Sequence, residues 1–315
     1  MTYDITNKTI WIAGSTGMVG QALVKRLETE NCRILTTTRQ DLDCTRQNEV
    51  EEWMTANRLD AVVISAARVG GIMANQNEPA QFIFENLAIA QNIIHSSWLN
   101  SIEKLLFLGS SCIYPKFSEI PIKEESLLSG TLEKTNEPYA IAKIAGIKLC
   151  QAYMRQYGCR FISVMPCNLY GPGDLYDDAR SHVIPALIQR FHKAKINRST
   201  EVTIWGTGNP RREFLYIDDL ADALVFLLKN YEDEIQINVG TGEDIPILEL
   251  AHTIANIVGF KGEIKTDPSR PDGTYRKVMD NGRLKNMGWK PQISLEQGLS
   301  QTYDSFLRIM SRYKD

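Results

Sequence analysis

Apolar residues in the first half of the chain follow two alternating periods. Short, β-branched or apolar runs typical of strands occupy residues 9–13, 33–37, 61–65, 105–108 and 161–165. Longer segments with apolar residues at helical spacing occupy residues 19–28, 79–97 and 139–157. Because the strand runs are almost continuously apolar, we expect them to be buried on both faces. The alternation predicts an α/β fold with a doubly wound parallel sheet of the Rossmann type.

The pattern changes after Pro166. A helix is predicted over residues 182–194, followed by a loop-rich region to about residue 212. Beyond it we predict a helix over 218–228, a strand over 235–239 that returns to the first sheet, and a last helix over 295–310. The 315 residues are about twice a typical domain length. We predict a Rossmann domain over 1–170, rejoined by 214–242, and a smaller α/β substrate-binding domain formed by 171–213 and 243–315.

Composition narrows the class of function. The chain is 43% hydrophobic and 23% charged, with a net charge of -3, and has no block of like charge suited to nucleic acid or a membrane surface. No apolar run approaches the roughly 18 to 20 residues of a membrane helix, and no signal-peptide pattern opens the chain. The six cysteines lack the CxxC spacing of zinc sites. We expect a cytoplasmic enzyme with reduced thiols, without a metal, a nucleic-acid partner or a membrane partner.

A glycine-rich turn joins the first predicted strand to the first predicted helix. Its residues are Gly14, Ser15, Thr16, Gly17, Met18, Val19 and Gly20. Glycines allow a tight turn and a close approach of the backbone to a pyrophosphate, and the helix N-terminus supplies N–H donors. This position between strand and helix predicts a dinucleotide site, although the GxxGxxG spacing is a variant and a turn without a ligand is the alternative.

The end of the second strand bears on cofactor choice. NAD-selective sites usually have an acidic residue here, whereas this chain has Arg39. A guanidinium binds a 2′-phosphate with paired donors, so Arg39 favours NADP(H) over NAD(H). In the alternative, Arg39 is a solvated side chain and Asp41 or Asp43 holds a ribose.

Two further segments carry candidate chemistry. Tyr139 and Lys143 are four residues apart, so they lie on one face of a helix, where the ammonium is expected to lower the pKa of the phenol. Ser110 and Cys112 follow the fourth strand, at the edge where parallel sheets bind ligands. If this segment is extended, both side chains point the same way, and Ser110 can share a substrate oxygen with Tyr139. The alternatives are a surface YxxxK coincidence, a hydroxyl that caps the backbone, and a buried cysteine.

These motifs together resemble a known family. The glycine turn, Ser110, Tyr139 and Lys143 occur in the order typical of the extended short-chain dehydrogenases/reductases. Further segments are similar to the GDP-L-fucose synthases within that superfamily, namely residues 66–72, 109–115, 168–172, 181–186, 205–206 and 212–214. The resemblance implies NADPH-dependent 3,5-epimerisation and 4-reduction of GDP-4-keto-6-deoxy-D-mannose to GDP-L-fucose, in a homodimer.

The resemblance also implies roles for individual residues. The implied catalytic residues are Ser110, Cys112, Tyr139, Lys143 and His182. The implied cofactor contacts are the glycine turn, Arg39, Ala66, Ala67, Lys143, Pro166, Asn168, Leu169 and His182. The implied substrate contacts are Arg190, Trp205, Arg212 and Asp280.

The implied epimerisation pair is Cys112 and His182. Protons at C3 and C5 of a 4-keto sugar are acidified by the C4 carbonyl, so a base on one face and an acid on the other can invert each centre. A thiolate forms at neutral pH where a positive charge lies nearby, and the imidazolium of His182 is the expected source.

Three residues depart from the family pattern, and one of them, Gly173, leaves more room beside the substrate-facing loop and so leaves the exact sugar open. Arg68 stands where lysine is frequent, Cys167 where threonine is frequent, and Gly173 where histidine is frequent. The alternatives are a related enzyme acting on another GDP-4-keto-deoxy sugar, of the colitose type, and an NAD-retaining nucleotide-sugar 4-epimerase or dehydratase. From another class, a redox-sensing protein that binds NADP(H) without turnover also fits.

Overall fold

The computed structural model describes residues 2–177, 181–270 and 272–312. The strands are β1 (Thr9–Ala13), β2 (Arg33–Thr37), β3 (Ala61–Ile64), β4 (Lys104–Leu108), β5 (Phe161–Pro166), β6 (Asn168–Tyr170), β7 (Glu201–Trp205), β8 (Arg211–Arg212), β9 (Phe214–Tyr216), β10 (Ile237–Val239), β11 (Ile245–Pro246), β12 (Glu263–Asp267) and β13 (Arg276–Lys277). The helices are α1 (Met18–Leu27), α2 (Gln47–Ala56), α3 (Ile72–Asn77), α4 (Pro79–Leu99), α5 (Glu137–Tyr157), α6 (Val183–Ile196), α7 (Ile217–Asn230), α8 (Ile247–Val258), α9 (Gly282–Asn286) and α10 (Leu295–Arg312).

Six strands form one parallel sheet, in the order β2-β1-β3-β4-β5-β10. Every residue of β3, β4 and β5 is buried, as the apolar runs predict. The strand order reverses between β1 and β3, which is the point where doubly wound sheets bind ligands at the carboxyl ends of their strands. The predicted fold class is confirmed, and we call this end of the sheet the carboxyl edge.

Helices cover both faces of the sheet. On one side α1 packs against α7, and on the other α4 packs against both α2 and α5. The long helices α4 and α5 both carry proline in their first turn, where no backbone N–H is needed. Helix α5 ends at Gly158, whose φ of 68° is the left-handed conformation that glycine favours at a helix end. These two helices therefore begin beside the carboxyl edge at positions that their sequence defines.

The second half of the chain contributes to both the main sheet and a smaller lobe. Strand β10 pairs in parallel with β5, which confirms the predicted return to the first sheet. In the smaller lobe α6 and α10 both pack on α8, and β7 pairs in parallel with β12. The region before residue 212, predicted to be loop-rich, also contains the strand β7, which buries Val202 and Ile204 on one face.

A small three-stranded sheet, β11-β8-β13, links this lobe to the cleft. In it Arg212 of β8 lies opposite Lys277 of β13. Just beyond β13, Met279 forms a bridge with Ile122, which follows the β4 loop. The pairings bring residues near 277 to the loop that carries Cys112.

Over residues 2–177, 181–270 and 272–312, no helix combines the length and hydropathy needed to span a membrane. The same residues contain no group of three or more His, Cys, Asp or Glu arranged to hold a metal ion. All six cysteines are free, as the sequence predicts.

Candidate active site

The glycine turn lies at the switch point of the sheet. Gly14 has a φ of 88°, and a Cβ atom there would come within 2.5 Å of the Ala66 nitrogen. A Cβ on Gly20 would come within 2.1 Å of the Gly14 oxygen. Only glycine allows these approaches, so the loops that follow β1 and β3 touch and leave a backbone-lined cradle. Helix α1 begins after Gly17 with no side-chain cap, and its first N–H groups suit a pyrophosphate.

The end of β2 fits a 2′-phosphate better than ribose hydroxyls alone. The side chain of Arg39 is 69% exposed, and its nearest carboxylate, Glu85, is 3.6 Å away. The carboxylate of Asp41 accepts hydrogen bonds from the Thr38 nitrogen at 2.9 Å and hydroxyl at 2.8 Å. That of Asp43 is likewise bonded within its own turn. Because both carboxylates stabilise local turns, Arg39 is the residue that remains available to the adenosine end of a dinucleotide.

The other predicted cofactor contacts follow β3 and β5 at the same edge. Ala66 and Ala67 come after β3, and Pro166 ends β5. Asn168 and Leu169 form β6, which pairs with β9, and the Asn168 side chain donates to the Glu213 carbonyl at 2.8 Å. These segments extend the cradle from the glycine turn towards the loop after β4.

Lys143 and Tyr139 lie at the start of α5, against the end of β4. The buried Lys143 ammonium donates to the Leu108 carbonyl at 2.7 Å and lies 4.9 Å from the Phe107 ring centre. Burial lowers the pKa of Lys143 to about 7. Its Nζ atom is 5.8 Å from the ring centre of Tyr139.

The expectation that Lys143 lowers the pKa of Tyr139 is wrong for this structure. Burial raises the pKa of Tyr139, the charge of Cys112 raises it further, and a hydrogen bond with Ser110 acts in the opposite direction. The phenol is therefore protonated at neutral pH and serves as a proton donor.

Ser110 begins a short 3₁₀ turn over residues 111–113, so the expectation of an extended segment is also wrong. Its hydroxyl oxygen accepts a hydrogen bond from the Cys112 nitrogen at 3.3 Å. The turn still holds Ser110 and Cys112 together, because the hydroxyl that bonds to Tyr139 also caps the turn that presents the thiol.

The Cys112 sulfur opens into a cleft of about 50 Å³ between the loop after β4 and β13. Asn136 donates its side-chain amide to the sulfur at 3.2 Å, and the Lys277 ammonium is 3.9 Å away. Sequence reasoning missed both residues. Asn136 carried a weak signal, since it directly precedes α5, whereas Lys277 is 165 positions from Cys112 and carried none.

His182 occupies the N-cap position of α6 but makes no side-chain capping hydrogen bond. Although the residue is exposed, desolvation by the surrounding protein lowers the pKa of His182. In the described part of the chain, the side chains that donate to the Cys112 sulfur are Asn136 and Lys277, so the expected imidazolium at this sulfur is not what the structure shows.

Two of the predicted substrate contacts lie together in the smaller lobe. The Arg190 guanidinium donates to the Thr203 carbonyl at 2.9 Å and lies 5.9 Å from the ring centre of Trp205. Arg270, which was not predicted, lies 5.2 Å from the same ring. Trp205 is 56% exposed, so it offers a flat, positively flanked surface to a nucleotide.

The other two predicted substrate contacts, Arg212 and Asp280, have different surroundings. Burial lowers the pKa of Arg212, while the charges of Asp272 and Cys112 act to raise it. The Asp280 carboxylate accepts a hydrogen bond from the Gly282 nitrogen at 2.7 Å, so it stabilises the start of α9. Arg212 therefore interacts with the charges of both the thiol and Asp272.

Two of the three family departures, Arg68 and Gly173, have local explanations. Arg68 pairs with Glu85 at 2.8 Å and also with Glu78. Gly173 has a φ of 86°, and a Cβ there would lie 3.4 Å from Met18, next to the glycine turn. Glycine is favoured at this position by its backbone conformation.

Residues 10–240 match the model of the NAD dependent epimerase/dehydratase family. A GDP-L-fucose synthase from Sinorhizobium fredii is 55% identical, with 97% of each chain covered. A GDP-L-colitose synthase from Yersinia pseudotuberculosis is 39% identical, with 95% of this chain and 96% of that one covered. The structure of a GDP-L-fucose synthetase from Naegleria fowleri bound to NADP superposes with a TM-score of 0.90 at 28% identity, over 99% of this chain and 97% of the other.

Proposed function

Because this chain belongs to the NAD dependent epimerase/dehydratase family and, within it, to the GDP-L-fucose synthases, we propose that the cleft at the carboxyl edge converts GDP-4-keto-6-deoxy-D-mannose to GDP-L-fucose. The chain is an NADP(H)-dependent enzyme that epimerises C3 and C5 of this nucleotide sugar and reduces C4. One observation assigns this chemistry to residues: Ser110 and Cys112 lie on one turn, and both interact with Tyr139 of α5.

The reduction uses the phenol and the buried lysine. NADPH, when bound, supplies a hydride for C4. Tyr139, protonated at neutral pH, gives its proton to the C4 oxygen, and the Ser110 hydroxyl donates a hydrogen bond to that oxygen. Lys143 is held by the Leu108 carbonyl on the same face of α5, where it stabilises the phenolate left by proton transfer and would hold the nicotinamide ribose of a bound cofactor.

The epimerisation uses Cys112 and His182. The C4 carbonyl delocalises the charge left when Cys112, as a thiolate, removes a proton from C3 or C5. His182 returns a proton from the opposite face, which inverts the centre, and would also lie against a bound cofactor. Its lowered pKa makes its protonated form a stronger acid than ordinary histidine.

The nucleotide is held in the smaller lobe. Arg190 and Trp205 form a surface for the base and ribose, and Arg212 lies closer to Cys112, where a diphosphate next to the sugar is expected. We assign residues 1–170 and 214–242 to cofactor binding, and residues 171–213 and 243–315 to substrate binding. The pairing of β10 with β5 supports this division.

The two alternatives within the superfamily have weaker support. The colitose synthase is 39% identical, against 55% for the fucose synthase. An NAD-retaining epimerase or dehydratase needs an acidic residue for the ribose, and both Asp41 and Asp43 are bonded within local turns.

Solvent deuterium incorporation tests the proposed base. Cys112→Ser is expected to abolish uptake at C3 and C5, measured by NMR of the keto-sugar, while NADPH binding is retained. Cys159→Ser removes another half-buried thiol and serves as the matched control with normal uptake. Normal uptake in Cys112→Ser would remove this thiol from the mechanism.

We also propose a cytoplasmic homodimer. Six free thiols suit a reducing compartment. The packed pair α4 and α5 exposes large apolar side chains, with Phe84 68% exposed and Ile141 and Tyr157 also exposed, and a second copy of this pair is the proposed occupant of that face. Sedimentation at micromolar concentration should give the mass of two chains, and a single-chain mass would contradict the proposal.

A further inference from the structure

The proposed base must be a thiolate, and an ordinary cysteine is mostly protonated at neutral pH. The site must therefore favour the charged sulfur. The group that stabilises the thiolate can be identified without following the reaction. The role of that thiolate in catalysis rests on the function proposed above.

The groups that face the sulfur come from four elements. Ser110 and Tyr139 flank it in the β4 loop and α5, Asn136 donates to it at 3.2 Å, and the Lys277 ammonium is 3.9 Å away. From β8, the charge of Arg212 interacts with that of Cys112, but Asp272 acts on the same guanidinium.

Other charges in the cleft are already neutralised. Lys116 pairs with Glu133 at 2.9 Å, and Arg276 pairs with Asp244. Among the residues that the structure describes, Lys277 has no carboxylate within ion-pair distance. Its ammonium is therefore the uncompensated positive charge beside the thiol.

The position of Lys277 is fixed by backbone contacts. Lys277 lies opposite Arg212 in the β8-β13 pair, and two residues later Met279 donates its N–H to the buried carboxylate of Glu213 at 2.9 Å. The bridge between Ile122 and Met279 ties the same strand to the loop after β4. The strand is thus held on both sides, and the ammonium is aimed at the sulfur without an ordering cost on substrate binding.

His182 does not fill this role. Among the described residues, the side chains that donate to the sulfur are Asn136 and Lys277. Desolvation, which lowers the pKa of His182, disfavours its charged form. The two requirements, a permanent charge and a proton carrier, are met by different residues.

We propose that Lys277 is the positioning residue that holds Cys112 as a thiolate, with Asn136 donating a hydrogen bond to the same sulfur. His182 then has one role in the epimerisation, which is to carry the proton. A residue of β13, Lys277, thereby takes part in the epimerisation, although it is 165 positions from Cys112 in the chain.

The test measures the thiolate directly, without turnover. The enzyme is saturated with NADP⁺ and alkylated with iodoacetamide from pH 5 to 10, and modification of the Cys112 peptide is followed by mass spectrometry. The wild-type midpoint is expected below the ordinary thiol value of about 8.5. Lys277→Met should raise it by about one pH unit or more, which slows alkylation near pH 7 about tenfold, whereas Lys277→Arg should stay close to wild type.

Lys265→Met is the matched control, since it removes the same charge from exposed β12, where Lys265 pairs with Glu201. An unchanged midpoint in Lys277→Met would overturn the proposal. A wild-type midpoint at or above the ordinary thiol value would overturn it as well, and that measurement does not depend on the folding of any variant. The proposed function fails separately: if Cys112→Ser still exchanges deuterium while the alkylation midpoints shift as expected, the thiolate exists but is not the base.

Discussion

The two ends of β4 each bury a lysine, and only one end is a site. At the amino end Lys104 is fully buried and donates to the Tyr231 carbonyl. At the carboxyl end Lys143 donates to the Leu108 carbonyl at 2.7 Å. Burial lowers the pKa of both ammonium groups to about 7.

What separates the two ends is the set of neighbours. Beside Lys104 lies Arg160, which is paired with Glu232, and Lys104 lines neither the cleft at Cys112 nor the one at Arg68. Beside Lys143 lie Tyr139 and the turn that carries Ser110 and Cys112. A shifted pKa therefore marks burial, and a group of reactive side chains around it marks function.

The largest expected effect tests this distinction directly. Lys143→Met should lower kcat for NADPH oxidation by about 10²- to 10⁴-fold, because the phenolate left by proton transfer loses its nearby charge. Lys104→Met removes an equally buried ammonium from the other end of the strand and should keep kcat within about twofold. Both rates are followed by NADPH absorbance with saturating keto-sugar. Comparable losses in the two variants would show that burial of the lysine, rather than its neighbours, matters.

The second prediction concerns stability, where the two ends should behave alike. Each lysine has a folded pKa near 7, below its unfolded value of 10.5, so the unfolded state binds more protons between these values. Stability therefore rises with pH across this window, and the cost of burial is complete below pH 7. Methionine at either position should raise Tm by on the order of 3 °C at pH 7. The gain should shrink towards pH 10.

Calorimetry of the ligand-free variants measures both effects. A gain that is constant from pH 7 to pH 10 would mean that improved packing, and not removal of a buried charge, accounts for it. Each substitution also leaves one carbonyl without its donor, that of Tyr231 for Lys104 and that of Leu108 for Lys143, so this cost does not separate the two variants.

The same contrast explains how much the sequence could predict. The bounds of β1 and β2 were predicted to the residue, because short apolar runs between helices leave few alternatives. The sequence predicts a loop-rich region around β7 and not the strand itself, since the exposed Glu201, Thr203 and Trp205 obscure a half-buried strand that pairs with the distant β12. Helix α2 was not predicted at all, because it buries only Val50 and Met54 in a charged segment.

At the site, local motifs were recognisable and distant partners were not. Tyr139 and Lys143 share one helix turn, so their proximity follows from spacing alone. Lys277 reaches Cys112 through the pairing of β13 with β8, which joins residues more than 60 positions apart. The pKa of Tyr139 was mispredicted for a related reason, since its direction depends on burial that the helix motif does not encode.

The smallest expected effect compares an arginine at each edge of the sheet. Arg39 lies at the carboxyl edge with a side chain 69% exposed and only a loose, screened contact to Glu85, so a 2′-phosphate can replace that partner at little cost. Arg160, at the amino edge, is already paired with Glu232. Arg39→Ala should raise KM for NADPH about tenfold and leave KM for NADH unchanged, because only the phosphorylated cofactor loses a charge-assisted contact. Arg160→Ala should change neither value. An equal rise for both cofactors in Arg39→Ala would place the guanidinium away from the 2′-phosphate, and Asp41 or Asp43 would then have to leave its turn to hold the ribose.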